Sequence, residues 1–269
     1  KPHSNHSPMK QLQTSVFFAL LFSFVFSAQT QARWGQIGHY VTGYVAESYL
    51  DDDVRAKVAD VLGDITLPRA CVWMDDVRSD SAFDYTRTWH WATILDGKTY
   101  EETEQEPTGD VISASEEMIA SLKSGTLSPE QERINLKLLI HMIGDMHMPL
   151  HVGNGTDRGG NQVRVQWMGN NSNLHRVWDS DIINSLQMSY TELAREVDFM
   201  DAETVATWQS GTVRDWAGES VLYRSDVYDL PEDMRLGYEY RYYKKDIIFL
   251  RLAQAGVRIA GVLNEIYGS

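Results

Sequence analysis

The sequence has little cysteine, an excess of acidic over basic residues, and no glycine-rich phosphate loop. Of its 269 residues only Cys71 is a cysteine, so an internal disulfide framework is excluded. The 24 Lys and Arg residues are outnumbered by 38 Asp and Glu residues, which gives a net charge of −14. So acidic a chain has no general basic face for nucleic acid or an anionic membrane. The fold must therefore rely on its core or on metal ions, and any bound phosphate needs local cations.

An apolar run near the N-terminus is too short for a transmembrane helix. VFFALLFSFVF, residues 16–26, contains 11 residues, whereas a bilayer span needs about 20. Met9 and Lys10 precede the run and the small, polar SAQTQA follows it, which is typical of a secretory signal peptide. A buried N-terminal helix is the alternative. We expect residues 1–33 to be upstream sequence plus a removed signal peptide, and residues 34–269 to be one domain, secreted or periplasmic.

Capping residues and apolar spacing predict an all-α fold with one small β-hairpin. The segment 128–147 opens with a Ser-Pro pair, as many helices do, and its second half is apolar nearly all round. That pattern predicts a central, buried helix. The alternation of Val163, Val165 and Trp167 predicts the hairpin near residues 161–171. The predicted helices cover residues 51–63, 113–125, 128–147 and 243–267.

The segment HMIGDMHMPLH, residues 141–151, combines three histidines and an aspartate with otherwise apolar residues. His141 and Asp145 are four residues apart, so on a helix they project to one side. Pro149 disfavours helix at the residue before it, so the helix should end near residue 147 or 148. His151 then follows the break, where the chain can turn back over the helix end.

His175 and Asp179, within NLHRVWDSD, repeat the four-residue spacing. Both groups offer imidazole nitrogens and carboxylate oxygens, which zinc binds. Core histidines satisfied by hydrogen bonds are the alternative for any single pair. Further histidines in apolar surroundings, such as TWHWAT, and Asp75 after an apolar run favour coordination, because burying so many imidazoles without partners is costly.

These residues lie in motifs that resemble those of the S1/P1 nucleases, a family of secreted, zinc-dependent, single-strand-specific nucleases and 3′-nucleotidases. The resemblance runs from Trp34 to at least Asp179, and the helical C-terminal part agrees with it. It implies a mostly helical domain of the zinc phospholipase C and S1/P1 nuclease type, holding three zinc ions. The motifs are WGQIGH (34–39), WMDDVR (73–78), WHW (89–91), HMIGDMHMPLH (141–151), DRGGN (157–161) and NLHRVWD (173–179).

Carried over position by position, the resemblance implies a ligand set for each zinc ion. The first ion would be bound by Asp75, His90, His141 and Asp145. The second would be bound by His151, His175 and Asp179. The third would be bound by His39, by Asp145 as a bridging carboxylate, and by the amino nitrogen and carbonyl oxygen of Trp34. His147 is left out, because six residues from His141 it points about 240° around the helix.

The role of Trp34 requires a free amine, because the lone pair of a peptide nitrogen is delocalised into the carbonyl group. Signal peptidase prefers a small residue before the cut, which points to cleavage after Ala32 and leaves Arg33 at the N-terminus. Either Arg33 is then removed, which we favour, or the third zinc ion is held by fewer protein groups.

The implied reaction is hydrolysis of phosphodiesters in single-stranded DNA and RNA to 5′-phosphate products, together with dephosphorylation of 3′-nucleotides. Neighbouring zinc ions activate water and clamp the attacking and leaving oxygens. Asp75 is the candidate catalytic residue that orients the water. Arg78 and Lys98 are candidates for phosphate contact and Asn161 for base contact. The alternatives are a surface ion pair for Arg78 and a turn role for Asn161.

Two other classes of protein stay open. A zinc phospholipase C would share the fold and the metal site, but we find no Lys- and Arg-rich amphipathic stretch for a membrane surface. A non-catalytic zinc-binding secreted protein would close each site with four protein ligands, whereas the second set has three. We therefore expect a nuclease whose partners are nucleic acids and 3′-nucleotides, with no membrane association and no obligate protein partner.

Overall fold

A computed structural model describes residues 35–268, and helices account for most of this part of the chain. The all-α class predicted from the sequence is confirmed. Short 3₁₀ turns at Val77–Ser79, Ser81–Thr86 and Pro149–His151 and a π-helical turn at Val177–Asp181 connect the longer elements. The α-helices are α1 (Gln36–Tyr49), α2 (Asp52–Leu62), α3 (Leu67–Ala70), α4 (Trp73–Asp76), α5 (Val111–Lys123), α6 (Pro129–Met146), α7 (Leu174–Arg176), α8 (Ile182–Ser185), α9 (Tyr190–Val197), α10 (Ala202–Gln209), α11 (Val213–Leu222), α12 (Arg224–Val227) and α13 (Tyr238–Tyr267).

The strands are short and form two small sheets. Strand β1 (Ala92–Thr93) pairs in parallel with β2 (Val152–Gly153). Strand β3 (Arg164–Trp167) pairs antiparallel with β4 (Asn170–Asn173), which is the predicted hairpin displaced a few residues towards the C-terminus. Strand β5 (Arg235–Leu236) adds to β3 in parallel, a pairing that no local pattern indicates.

Helix α6 is the central helix that its apolar sequence predicts. Every residue from Asn135 to Met146 is buried. Ser128 caps its start by accepting a hydrogen bond from the Gln131 N–H, and Pro129 occupies the first turn. Helices α1, α4, α5 and α13 pack around it. The residues that α6 carries therefore lie deep in the molecule.

Helix α13 packs closely against α1 because one residue of the contact has no side chain. A Cβ atom on Gly256 would lie 2.6 Å from the Cβ of Val45 and 3.0 Å from the carbonyl oxygen of Thr42. Real Cβ atoms almost never approach other atoms as closely as 2.6 Å. The absence of a side chain at Gly256 thus sets the distance between the two helices, and α1 is the helix that carries His39.

Some predicted helix boundaries need correction. Helix α5 begins at Val111, because Asp110 caps it by accepting hydrogen bonds from the Ile112 and Ser113 N–H groups. Ser113, where the predicted helix begins, lies in the first turn, and its Oγ accepts a hydrogen bond from the Asp110 N–H. Helix α13 begins five residues before the predicted start, at Tyr238.

The described residues form one compact unit. The predicted signal peptide and the boundary at residue 34 lie outside the described residues. Within residues 35–268, no helix combines the length and apolarity that crossing a bilayer requires.

Candidate metal centre

Three groups of histidine and aspartate side chains lie together at the end of α6. Within each group, one ligand atom from every member lies within 4.8 Å of the others. The first two groups share His141, and the third is joined to them by a 3.4 Å contact between Nδ1 of His151 and Oδ1 of Asp145, so the three form one continuous polar centre. The groups are His39, His141 and Asp145; Asp75, His90 and His141; and His151, His175 and Asp179.

Asp145 lies at the middle of this centre, where side chains from three other segments meet it. Its Oδ1 atom is 3.3 Å from Nε2 of His39 on α1 and 3.4 Å from Nδ1 of His151. Its Oδ2 atom is 2.9 Å from Nδ1 of His90 and 3.1 Å from Nε2 of His141. The carboxylate thus contacts members of all three groups, as a bridging position requires.

Backbone carbonyl groups orient three of the histidine rings. The Nδ1 atoms of His141, His151 and His175 each lie 2.7 Å from a carbonyl oxygen, those of Cys71, His90 and Gly159 respectively. Donation from Nδ1–H places the lone pair of each ring on Nε2. Such hydrogen bonds fix the tautomer of metal-ligating histidines and make the ring a better ligand.

The loop that follows Pro149 places two of these rings side by side. His151 ends a 3₁₀ turn directly after Pro149, where the chain reverses over the end of α6. The His151 and His175 rings stack with centroids 5.0 Å apart, and Nε2 of His151 is 3.6 Å from Oδ1 of Asp179. Asp179 lies in a π-helical turn, so the predicted regular helical spacing from His175 is widened.

Burial and mutual charge shift the pKa values across the centre. Burial lowers the pKa of His39, and the neighbouring His141 lowers it further. Burial also acts to lower the pKa of His141, but the carboxylates of Asp145 and Asp75 raise it overall. For Asp145, burial is outweighed by His141 and His151, and the pKa falls well below its usual range. Burial raises the pKa of Asp179 to about 7.

The residues present fit metal ions. Nδ1 of His39 and Oδ1 of Asp179 are buried and have no hydrogen-bond partner among the described residues. Leaving buried polar atoms unpaired is costly, and a bound cation would remove that cost. Imidazole and carboxylate donors brought together from several rigid elements are the ligand set of zinc. Asp75 is the most accessible of the predicted acidic ligands, with 24% of its side chain exposed.

The predicted substrate residues lie in turns, where Lys98 is exposed and Arg78 and Asn161 are half-buried, and Trp34 lies outside the described residues. Arg78 is in the 3₁₀ turn that follows α4, and Lys98 is in an exposed turn after β1. Asn161 donates a hydrogen bond from its side chain to the carbonyl oxygen of Arg158, which is the turn role named as its alternative.

Exposure reveals an aromatic residue that the sequence could not single out. Trp91 follows His90 directly and keeps 39% of its surface exposed, whereas Trp89 on its other side is buried. The carbonyl oxygen of Trp91 accepts a hydrogen bond from the Val111 N–H at the start of α5, which holds its backbone in place. The chain contains 8 Trp and 13 Tyr residues, so composition alone gives no reason to choose it.

A second set of residues missed by sequence reasoning supports His147. Its Nδ1 lies 2.7 Å from the carbonyl oxygen of Ile143, and Arg258 of α13 donates a hydrogen bond to its Nε2 over 2.8 Å. Burial lowers the pKa of His147 well below its usual value, and Arg251 and Arg258 lower it further. Both arginines are buried, and both pair with Glu219 of α11. His147 is thus a neutral structural residue behind the centre.

The fold is mostly helical, and its buried histidine and aspartate groups lie in contact with one another. This combination is typical of a protein whose site can hold several metal ions. The chain belongs to the S1/P1 nuclease family, whose family model matches residues 34–268. The matched range begins at Trp34, the first residue of the WGQIGH motif.

Curated relatives come from plants and fungi. Endonuclease 3 of Arabidopsis thaliana is 30% identical over 266 residues, which cover 88% of this chain and 90% of that protein. Nuclease S1 of Aspergillus oryzae is 28% identical and covers 89% of this chain and 93% of its own length. Nuclease P1 of Penicillium citrinum is 26% identical, with coverage of 88% and 98%. The likeness therefore extends over nearly the whole length of each relative.

Proposed function

We propose that the protein is a secreted, zinc-dependent endonuclease and 3′-nucleotidase that acts on single-stranded DNA and RNA. The observation that carries this proposal is the fused centre around Asp145, in which buried atoms of His39 and Asp179 lack hydrogen-bond partners among the described residues. The named activities of the relatives support the choice of nucleic acid as substrate.

Three zinc ions account for the arrangement. Asp75, His90, His141 and Asp145 would hold the first ion, and His151, His175 and Asp179 the second. The third would be held by His39, Asp145 and the free amine of Trp34, after removal of Arg33. Zinc supplies two effects when bound: it acidifies water, and it stabilises negative charge on the leaving O3′ atom.

The protein's own groups position the reactants. Asp75 is partly exposed beside the centre, so its carboxylate can accept a hydrogen bond from the attacking water and orient it towards phosphorus. In-line attack then breaks the P–O3′ bond and leaves a 5′-phosphate on the product. Arg78 and Lys98 would contact phosphate oxygens, and Asn161 would contact a base edge.

Trp91 would hold the base next to the scissile phosphate. Its partly exposed ring directly follows the predicted ligand His90. An unpaired base can stack on such a ring, with a contribution of about 1–3 kcal/mol. A paired base would first have to leave its stack, which disfavours duplex substrates.

The direct test measures zinc content by elemental analysis and cleavage of single-stranded and duplex DNA. We expect three zinc ions per chain, faster cleavage of the single strand, release of phosphate from 3′-AMP, and loss of both activities on chelation. Full activity after exhaustive chelation would refute the proposal. Trp91→Ala should raise the KM for single-stranded DNA by about fivefold or more, while leaving zinc content unchanged.

Processing of the N-terminus has its own test. Intact mass of the protein secreted by its native host should correspond to a chain that begins at Trp34. A chain that begins at Arg33 and still holds three tightly bound zinc ions would contradict the need for the Trp34 amine.

A further inference from the structure

A groove of about 550 Å³ lies at the start of α13, on a surface that the metal centre does not use. Three tyrosines line it and are strongly exposed: Tyr238 at 72%, Tyr242 at 66% and Tyr243 at 65%. Leu186, just after α8, forms an apolar part of the wall. Exposed aromatic side chains grouped in one groove are unusual on a soluble surface and indicate a binding site.

Two cationic side chains, Arg241 and Lys245, line the same groove. Lys244, between them in sequence, is buried. Lys244 pairs with Asp229 and Lys245 with Asp246, and Glu239 also lines the groove. Arg241 forms no ion pair among the described residues. The groove therefore offers an anion the guanidinium charge of Arg241.

Arg241 and Tyr238 are arranged as a stacked pair. The guanidinium carbon of Arg241 lies 5.0 Å from the centre of the Tyr238 ring. One of its terminal nitrogens donates a hydrogen bond to the carbonyl oxygen of Ser185 over 2.9 Å, which fixes the side chain in the groove. Its other donors remain available for a phosphate oxygen. Tyr242 and Tyr243 meet edge to face beside it, with ring centres 5.2 Å apart.

The groove is joined to the metal centre through one continuous helical segment. Asp179 lies in the turn Val177–Asp181, and α8 continues from there to Ser185, the residue that Arg241 contacts. At about 1.5 Å per residue, the six steps from Asp179 to Ser185 span roughly 9 Å. A strand longer than a few nucleotides could therefore contact both places.

We propose that this groove binds a second stretch of single-stranded nucleic acid, several nucleotides away from the phosphate being cleaved. Bases would stack on Tyr242 and Tyr243, and Arg241 would contact the backbone phosphate. Aromatic platforms with nearby cations bind unpaired strands without sequence preference, because every base has a stacking face. A duplex hides those faces. The inference rests on the proposed nuclease function. Binding in the groove would make the enzyme favour long strands.

The test compares the zinc-loaded protein with its Tyr242→Ser/Tyr243→Ser double variant on substrates of two lengths. The substrates are a 20-nucleotide oligothymidylate and a thymidine dinucleotide. The variant should show a KM raised by about fivefold or more for the 20-nucleotide strand, with kcat and the dinucleotide KM unchanged. Phe199→Ser is the matched control, because Phe199 is an aromatic residue outside the groove with 78% exposure. It should change neither KM.

Equal KM values for the variant and the wild type on the long strand would overturn the proposal. An equal rise in KM on both substrates would also overturn the proposal, because that result places the effect at the metal centre. Fluorescence anisotropy with a labelled 20-nucleotide phosphorothioate strand measures binding without cleavage. A wild type that binds this strand through the groove but cleaves neither substrate would refute the nuclease proposal alone. If the wild type does not bind this strand, or if the double variant binds it equally well, the proposal that the groove binds single strands is refuted.

Discussion

Asp145 and His147 are two residues apart at the end of α6, and their surroundings give them different roles. Asp145 faces His39, His90, His141 and His151, so its carboxylate is surrounded by possible metal ligands. His147 faces Arg258 and the carbonyl oxygen of Ile143, so both of its nitrogens are already satisfied. At the same helix end, the buried carboxylate of Asp145 is thus our proposed metal ligand, whereas the buried imidazole of His147 supports the structure.

Asp145→Asn should reduce nuclease activity much more than His147→Ala. The amide carries no charge and cannot bridge two cations, so we expect the loss to exceed about 100-fold, beyond the 10–100-fold typical of groups around ligands. His147→Ala should mainly lower stability, because it leaves Arg258 without one acceptor. Steady-state kinetics with zinc analysis on both variants would measure this. Equal activities with intact zinc content would contradict the assignment of Asp145.

At the scale of elements, α13 supports the site from behind. Arg251 and Arg258 are seven residues apart on one face of the helix, and both reach Glu219 on α11. Arg251 also donates a hydrogen bond to the carbonyl oxygen of His147 at the end of α6. Burial lowers the pKa of Arg251 to about 10, which leaves the side chain charged at neutral pH. The ion pairs therefore tie α6, α11 and α13 together.

Glu219→Gln should destabilise the protein in a pH-dependent way. Burial acts to raise the pKa of Glu219, but Arg258 and Arg251 lower it overall. The folded-state pKa is then below the unfolded value, so this stabilisation is complete above about pH 4.5 and is lost as the pH falls through the folded value. Urea unfolding should give the variant a free energy of unfolding about 1–3 kcal/mol below that of the wild type at pH 7. This difference should become smaller below pH 4.5.

Glu203→Gln, a substitution at an exposed residue of α10, is the control for this measurement. Its difference from the wild type in free energy of unfolding should not change with pH in this way. A Glu219→Gln difference that stays constant from pH 7 to pH 4 would show that the charge of Glu219 does not stabilise the fold.

Gly256→Ala should weaken the contact between α13 and α1. The added methyl group would meet Val45 at 2.6 Å, and overpacking of this kind costs about 1–3 kcal/mol. Gly218→Ala is the matched control, because no atom lies within 4 Å of its added Cβ and α11 should gain about 1 kcal/mol of helix propensity. Thermal unfolding should shift in opposite directions for the two variants. A stabilised Gly256→Ala variant would show that α1 and α13 can separate at no cost.

At the scale of the whole molecule, the metal centre joins segments far apart in the chain. Its predicted ligands with described positions extend from His39 on α1 to Asp179 after α7, and all of these eight except Asp75 are buried. The unfolded chain cannot hold these groups together. Metal binding at the proposed centre would therefore contribute to the stability of the folded state, in a protein that has no disulfide bond.

Removal of zinc should lower the melting temperature as well as the activity. A site with free zinc at 1,000 times its Kd contributes about 4 kcal/mol, and for a chain of this size each kcal/mol corresponds to about 2–4 °C. We expect a fall of about 10 °C or more on chelation, reversed when zinc is added back. Differential scanning calorimetry of the zinc-depleted protein would measure it. An unchanged melting temperature with zinc removed would argue against a structural contribution from the metal.

The sequence by itself determined the elements that local physical rules govern. Apolar periodicity predicted the central helix α6. The position of Pro149 just after this helix predicted the break in the helix that places His151. That His141 and Asp145, four residues apart, project to one side of α6 follows from helix geometry alone. The motifs in their order sufficed to indicate the family, because they carry the chemistry within short segments.

Only the tertiary structure decided which distant residues meet. No local pattern indicates that Asp145 contacts His39, His90 and His151 at once, that β5 pairs with β3, or that Arg258 satisfies His147. The early start of α13 and the exposure of Trp91 and of the tyrosines at residues 238, 242 and 243 also depend on packing. The physical reason is the same in each case: these contacts join residues far apart in the chain, and they form only when the helices bury their apolar faces together.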